Sequence, residues 1–229
     1  MKRFYKQVSV SADRGILLDA RRVKTPKKLP LLLPTLAMTQ AVAEEWRAQG
    51  ERIDPFSMKI TGLANAAIDV ITPDPIGFAS GLGVYSESDL LCYRAVDPPE
   101  LIARQSAAWD PLLAWAEMRY DVAFKRVHGI MHQPQPLATI ARLGKAIASA
   151  NAFELAALSH IVTISGSLVI ALALHEGEIA DEAAFDTAHL DELWQIEQWG
   201  EDYFATQTRD AHRADFLSAC RFLRLLKHG

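Results

Sequence analysis

The chain has 229 residues, enough for one large domain or two smaller ones with real cores. Half of the residues are hydrophobic and 23% are charged, which excludes a disordered or low-complexity protein. A net charge of −4 and only two cysteines, Cys92 and Cys220, exclude a strongly basic nucleic-acid binder and a disulfide scaffold, and they suit a reducing compartment.

At the N-terminus, Met1-Lys2-Arg3-Phe4-Tyr5-Lys6 is positively charged, but no apolar stretch follows it, so it does not read as a secretory signal. Phe4, Val8 and Val10 alternate with polar residues, and Ile16-Leu17-Leu18 and Val23 flank Asp19-Ala20-Arg21-Arg22, which reads as a hairpin turn. Leu31-Leu32-Leu33 between prolines suits a short edge strand. The first helix is predicted over 35–49, with Thr35 as its N-cap and Gly50 as its stop. Its apolar side carries Leu36, Met38, Thr39, Val42, Ala43 and Trp46. Trp46 is therefore expected to be structural, packed between the two parts of the chain.

Further helices are predicted over 63–70 and from Pro98-Pro99 to about Tyr120, the latter with a kink or fresh start at Asp110-Pro111. Residues 90–93 and 125–130 read as short strands. From Ala138 onward everything reads as helix, over about 137–149, 152–176, 181–187, 190–205 and 210–227. Residues 161–174 are the longest apolar run. They fall short of the roughly 20 apolar residues of a membrane span and read as buried core. Strands first and helices later predict an α+β protein. A small N-terminal α/β domain with short antiparallel strands is expected over residues 1–95, and a mainly α-helical C-terminal domain over 96–229.

Charge is unevenly placed. Residues 1–31 hold nine Lys and Arg against Asp13 and Asp19, whereas residues 146–208 hold no Lys or Arg and eleven acids. Such polarity speaks of partners or of the two halves facing each other, and the acidic half argues against nucleic acid. On a wheel of the 190–205 helix, Leu190, Leu193, Trp194, Ile196 and Phe204 share one side with Gly200. Asp191, Glu192, Gln195, Gln198 and Asp202 form the other, with Trp199 among them. An exposed Trp set in acids marks an interface, since Trp is enriched at binding hot spots. The alternative is that Trp199 packs inside the protein, near Phe216 or Phe222. Glu197 and Glu201 fall on the apolar side, four apart, where a carboxylate pair could do acid/base work or be neutralised by Arg94 or Arg104.

Other chemistry is sparse. Gly81-Leu82-Gly83 lacks the third glycine of a dinucleotide loop, and no P-loop spacing exists, so no tight nucleotide site and no cofactor are expected. Ser165-Gly166-Ser167 has the wrong spacing for a nucleophile elbow and reads as close packing in an apolar helix. His128 and His132 are four apart but lie around Gly129 and before Pro134, and they read as turn residues rather than metal ligands.

Several blocks then line up in order. They run from Val23-Lys24-Thr25-Pro26 and Leu33-Pro34-Thr35 through Glu44-Glu45-Trp46 with Gln49-Gly50, Ile53-Asp54-Pro55 and Leu63-Ala64-Asn65. Later come Leu91-Cys92-Tyr93-Arg94-Ala95, Trp109-Asp110-Pro111, Ser165-Gly166-Ser167-Leu168, and Leu190-Asp191-Glu192 with Trp194-Gln195, Glu197 and Trp199-Gly200-Glu201-Asp202. Over nearly its whole length the chain resembles the ATP-twelve family, assembly chaperones for the α subunit of the F-type ATP synthase catalytic head. The resemblance implies a two-domain chaperone that holds unassembled α subunit without hydrolysing ATP. It also implies a bacterial member working in the cytoplasm, expected here to be a monomer. The chain departs from the family pattern at Lys59, Ile60 and Gly62.

The client-binding surface expected from these readings is Asp191, Glu192, Gln195, Trp199 and Asp202, supported by the motif residues Trp46, Trp194, Glu197, Gly200 and Glu201. Two rival classes stay open: a hydrolytic enzyme using Glu197 and Glu201, and an adaptor with an unrelated client.

Overall fold

In the computed structural model, which describes residues 1–227, the alternating N-terminal segment forms a three-stranded antiparallel sheet. Strand β1 (Val8–Val10) pairs with β2 (Ile16–Leu18), Val8 opposite Leu18, and β2 pairs with β3 (Arg21–Arg22), Leu18 opposite Arg21. The turn is tighter than the sequence suggests, because Arg21 and Arg22 are strand and only Asp19 and Ala20 turn, with φ of 46° and 66°. Two positive φ values are what a right-twisted two-residue hairpin requires. Neither residue is glycine, and the turn is tied down through Asp19, whose carboxylate accepts from the Lys6 and Gln7 amides at 3.1 and 2.8 Å. The expected edge strand at 31–33 makes only an isolated bridge, Gly15 to Leu32. Its alternation survives nonetheless, with Leu31 and Leu33 buried and Leu32 exposed.

Helix α1 (Leu36–Arg47) starts where Thr35 predicts it, the Thr35 hydroxyl accepting from the Met38 amide at 3.1 Å. Met38, Thr39, Val42 and Ala43 are buried as the wheel expects, whereas Leu36, in the first turn, is exposed. Trp46 is half-buried within a cluster of Tyr5, Leu18, Ile53 and Met58. Helix α2 (Lys59–Ala66) runs on through a wider π turn over 67–71. Its first amides are capped at a distance by Glu45, which accepts from Ile60 and Thr61 at 2.7 and 2.8 Å. Of the departures from the family pattern, Ile60 is core, Lys59 is half-exposed and Gly62 is exposed.

The remaining elements are α3 (Pro75–Gly83), β4 (Tyr93–Arg94), α4 (Pro99–Tyr120), β5 (Val127–His128), α5 (Leu137–Ala148), α6 (Ala152–Ser165), α7 (Leu168–Glu176), α8 (Asp181–Ala188), α9 (Leu190–Trp199) and α10 (Tyr203–Lys227). The expected strand at 90–93 is mostly a 3₁₀ turn. Asp89 accepts from the Leu91 amide, and only Tyr93 and Arg94 pair, in parallel, with Val127 and His128. Pro111 sits inside α4 without ending it.

The apolar helix expected over 152–176 is two helices. Gly166 turns at φ 66°, and Ser167 caps α7 by accepting from the Ile170 amide at 3.0 Å. Buried Asp89 holds this break by accepting from the Ser167 hydroxyl and the Val169 amide at 2.8 and 3.0 Å. The small residues 165–167 therefore stop a helix rather than let one pack closely. The helix expected over 190–205 is also broken, at Gly200, with φ 86° and ψ 173°.

Contacts divide the chain into two compact units. The first holds residues 1–75, 151–157 and those from 218 on, and the second holds 76–150 and 158–217. This division precedes the one expected at residue 95, and it returns two late segments to the first unit, where Phe153 and Phe222 stack at 6.3 Å. The second unit is built on α7, buried from Leu168 to Leu174, and on Trp109, whose indole N–H donates to the Thr187 carbonyl at 2.9 Å. The architecture is the expected α+β arrangement. Among the described residues no helix is long and apolar enough to cross a membrane.

Candidate client-binding surface

The break at Gly200 decides what α9 and α10 present. A backbone at φ 86° and ψ 173° lies in a region essentially reserved for glycine, because a Cβ there meets its own backbone. The chain therefore leaves α9 at Trp199, passes through Gly200 and Glu201, and restarts at α10. Asp202 accepts from the Ala205 amide at 2.9 Å and so caps the new helix.

Three aromatic side chains crowd this corner, and all are exposed: Trp199 at 78%, Tyr203 at 73% and Phe204 at 74%. Tyr203 and Phe204 meet edge to face at 5.4 Å. The expected alternative for Trp199 is not realised, since Phe216 is buried against Phe185, and Phe222 pairs with Phe153. Phe204, expected on the apolar side, is a surface residue, because the break removes it from the wheel of α9.

The other expected site residues divide. Gln195 and Asp202 are exposed beside the aromatics, with Glu197 and Glu201. Asp191 and Glu192 are half-buried and already engaged. Asp191 accepts from the Gln105 amide group at 2.7 Å, and Glu192 lies 3.5 Å from Arg209. Trp194 is half-buried under the Arg104 guanidinium, 4.8 Å from its ring centre. Glu197 and Glu201 are not a buried carboxylate pair. Glu197 is exposed and bound to Arg104 at 2.7 Å, and Glu201 is exposed and 3.8 Å from Arg209. Each acid answers to a different arginine, which removes the geometry that acid/base work needs. Arg94, the other arginine considered, pairs instead with Asp110 at 2.7 Å.

Arg209 escaped the sequence reading. It is buried on α10, and its two carboxylate partners, Glu192 and Glu201, lie on either side of the break. One signal could have found it: it is the first cation after the long stretch without Lys or Arg.

Elsewhere, an open cavity of about 310 Å³ in the first unit is lined by Glu44, Glu45, Gln49, Ser57 and Arg221. Its Glu45 is committed to the α2 amides, and Gln49 accepts from the Asp54 amide at 2.7 Å. Gly81 and Gly83 are helical, in α3, and a Cβ at Gly83 would make an ordinary contact with the Gly144 backbone at 3.5 Å. His132 bonds the Tyr93 hydroxyl at 3.1 Å. Among the described residues, no three His, Cys, Asp or Glu side chains are grouped to hold a metal ion.

Residues 2–117 match the family described as ATP12 chaperone protein. The mitochondrial protein atp12 of Schizosaccharomyces pombe is 26% identical over 231 residues, spanning 93% of this chain and 77% of that protein. Atp12 from Paracoccus denitrificans has a crystal structure that superposes with a TM-score of 0.91 at 37% identity, covering 98% of each chain. A point mutant of it gives 0.92, covering 98% of this chain and 97% of that one. A chaperone candidate from Agrobacterium tumefaciens gives 0.91 at 41% identity, covering 98% of this chain and 86% of that one. Sequence and fold agree along nearly the full length, and the chain belongs to the ATP12 chaperone family.

Proposed function

We propose that this chaperone holds the unassembled α subunit of the F-type ATP synthase catalytic head until a β subunit takes its place, and that the α9–α10 corner is the surface it uses. The observation that carries the corner is the exposure of Trp199 at 78% beside exposed Tyr203 and Phe204. Three exposed aromatics in one turn of chain are a liability on a protein that meets nothing, and they are the anchors expected at a hot spot. Glu197, Glu201 and Asp202 give them a polar, acidic rim. An α subunit waiting for its neighbour exposes an apolar interface, and covering it needs neither nucleotide nor hydrolysis. Release must follow, so the affinity is moderate.

The test is Trp199→Ala, with melting and α-subunit binding kinetics measured on the same protein. The side chain stands in solvent, so the melting temperature should hold. Loss of a hot-spot Trp removes about 2 kcal/mol or more of binding, roughly a thirtyfold faster dissociation. A large stability loss with unchanged binding of the folded fraction would end this reading. A wild-type chain that ignores α subunit while capturing another protein from its own cell would favour the adaptor reading.

A further inference from the structure

A second feature of the molecule is displayed as deliberately as the aromatic corner. The segment between β5 and α5 projects Ile130 and Met131 at 95% and 77% exposure, and Val96 beside Gly129 is 68% exposed. Its base is locked. Buried Gln135 holds Lys125 from both sides, accepting from its amide and donating to its carbonyl, each at 2.9 Å. Thr139 does the same for Ala123, at 3.3 and 2.7 Å. The Gly129 amide donates to the Arg94 carbonyl at 2.8 Å, just below the tip. Fixed ends under an exposed apolar tip are the construction of a binding loop rather than of a slack connection.

Charge indicates the occupant. No Asp or Glu occurs from residue 122 to residue 153, while Lys125, Arg126, His128 and His132 flank the tip. Exposed Asp97 follows Val96 at the edge of the tip, and Asp110 is shared by two guanidiniums, Arg94 at 2.7 Å and Arg126 at 3.2 Å, so that group keeps a net positive charge. An apolar tip in a basic collar complements an extended segment that carries apolar side chains among carboxylates.

We propose that the loop over 126–134 is a second protein-docking element, which takes an acidic, apolar, unstructured segment of the client. The proposal rests on the chaperone reading but not on the identity of the client. The acidic corner at Trp199 and this basic loop then engage segments of opposite charge, which lets one chaperone hold two different regions of an incomplete subunit.

The probe is reduced, carboxymethylated α-lactalbumin, an acidic chain that stays unfolded, titrated by fluorescence anisotropy against the full-length protein. Ile130→Ser with Met131→Ser should weaken binding about tenfold or more, and Lys125→Glu should weaken it chiefly at low salt. The substituted side chains lie in solvent, and an unaltered melting curve verifies the fold of each variant. Equal binding by wild type and the Ile130/Met131 double variant overturns the proposal. So does binding of phosphatidylglycerol vesicles, lost in the double variant, without any binding of α-lactalbumin, because the loop would then be a membrane contact. Failure of ATP synthase α subunit to bind, with α-lactalbumin still bound through the loop, supports the loop and overturns only the choice of client.

Discussion

Half-buried Trp46 and buried Asp89 show how differently two residues in this protein hold it together. Trp46 meets the Tyr5 ring edge to face at 5.8 Å, and the Tyr5 hydroxyl donates to its carbonyl at 2.5 Å. Its own indole N–H is buried without a partner, so its contribution is packing alone. Trp46→Arg removes that packing and sets a cation beside Met58 and Ile53. A loss of about 3–5 kcal/mol is expected, comparable with the whole stability of a domain, and it should be visible as a lower melting temperature. If purified Trp46→Arg melts like wild type and only client binding is lost, the residue is a contact instead. Asp89 is a carboxylate in the core. Burial pushes its pKa up from 3.8 to about 6, against the pull of its hydrogen bonds from Val169, Ser167 and Leu91. Its folded pKa exceeds its unfolded one, so the unfolded chain gives up the proton first. The contribution to stability is full below the unfolded pKa and is lost as pH rises through about 6. Compared with Asp89→Asn, wild type should gain on the order of 3 kcal/mol as pH falls from about 7 to about 4. Chemical unfolding of both proteins across that range checks it. The difference isolates Asp89 from His189, whose pKa is lowered by burial and which therefore favours the folded state at the higher pH.

At the scale of the element, the α9–α10 corner is one helix that glycine has divided. The pattern of 190–205 permits a continuous helix, and only Gly200 can adopt the conformation that breaks it. Arg209 then bridges the break to Glu192 and Glu201. That bridge makes Glu192→Lys a poor probe of client binding, because it strands a buried cation. Asp202 is the better one, though it has two roles that must be separated. Asp202→Asn keeps a good N-cap and removes the charge, so stability should hold. Asp202→Lys removes both, and about 0.5–2 kcal/mol of stability should go with the cap. Equal melting of the two variants would mean that the cap observed at Ala205 contributes nothing.

For the molecule as a whole, charge is segregated along the chain, and under the proposed function its work is kinetic. The eleven acids between 146 and 208 are exposed or paired on helices α6 to α9, at Glu178 between α7 and α8, and at the corner. Such a field guides encounter over a Debye length of about 10 Å at 0.1 M salt, and it adds little to a contact once made. Asp202→Asn should therefore slow association with the α subunit at low salt and leave dissociation nearly as it was. An association rate indifferent to that substitution at every salt concentration would remove steering from the account. The compact units cut across sequence order. Residues 151–157 and 218–227 belong with the N-terminal unit, where Phe153 and Phe222 stack on each other and the Thr35 hydroxyl donates to the Leu225 carbonyl at 2.7 Å. The passage from strands to helices near residue 95 does not reveal this, because both segments read simply as further helix.

What the sequence determined by itself is what depends on neighbours along the chain. It is the hairpin between Val8 and Val23, the Thr35 cap, most helix extents, the α+β class, and the family, which rests on many spaced motifs at once. Helical periodicity set Trp199 among polar residues but left open whether its ring packs inside the protein, and the tertiary structure decided that it is exposed. Tertiary structure decided everything that turns on a distant partner. The breaks at Gly166 and Gly200 read as packing glycines until Asp89 caps one new helix start and Arg209 spans the other gap. Glu197 and Glu201 look like a pair on a wheel, but they part because Arg104 and Arg209 reach them from different helices. The rigid base of the loop at 126–134 depends on Gln135 and Thr139, two polar side chains whose burial no periodicity announces. Hydrogen bonds between residues far apart in sequence leave no local pattern, and here they settle which side chains face the solvent.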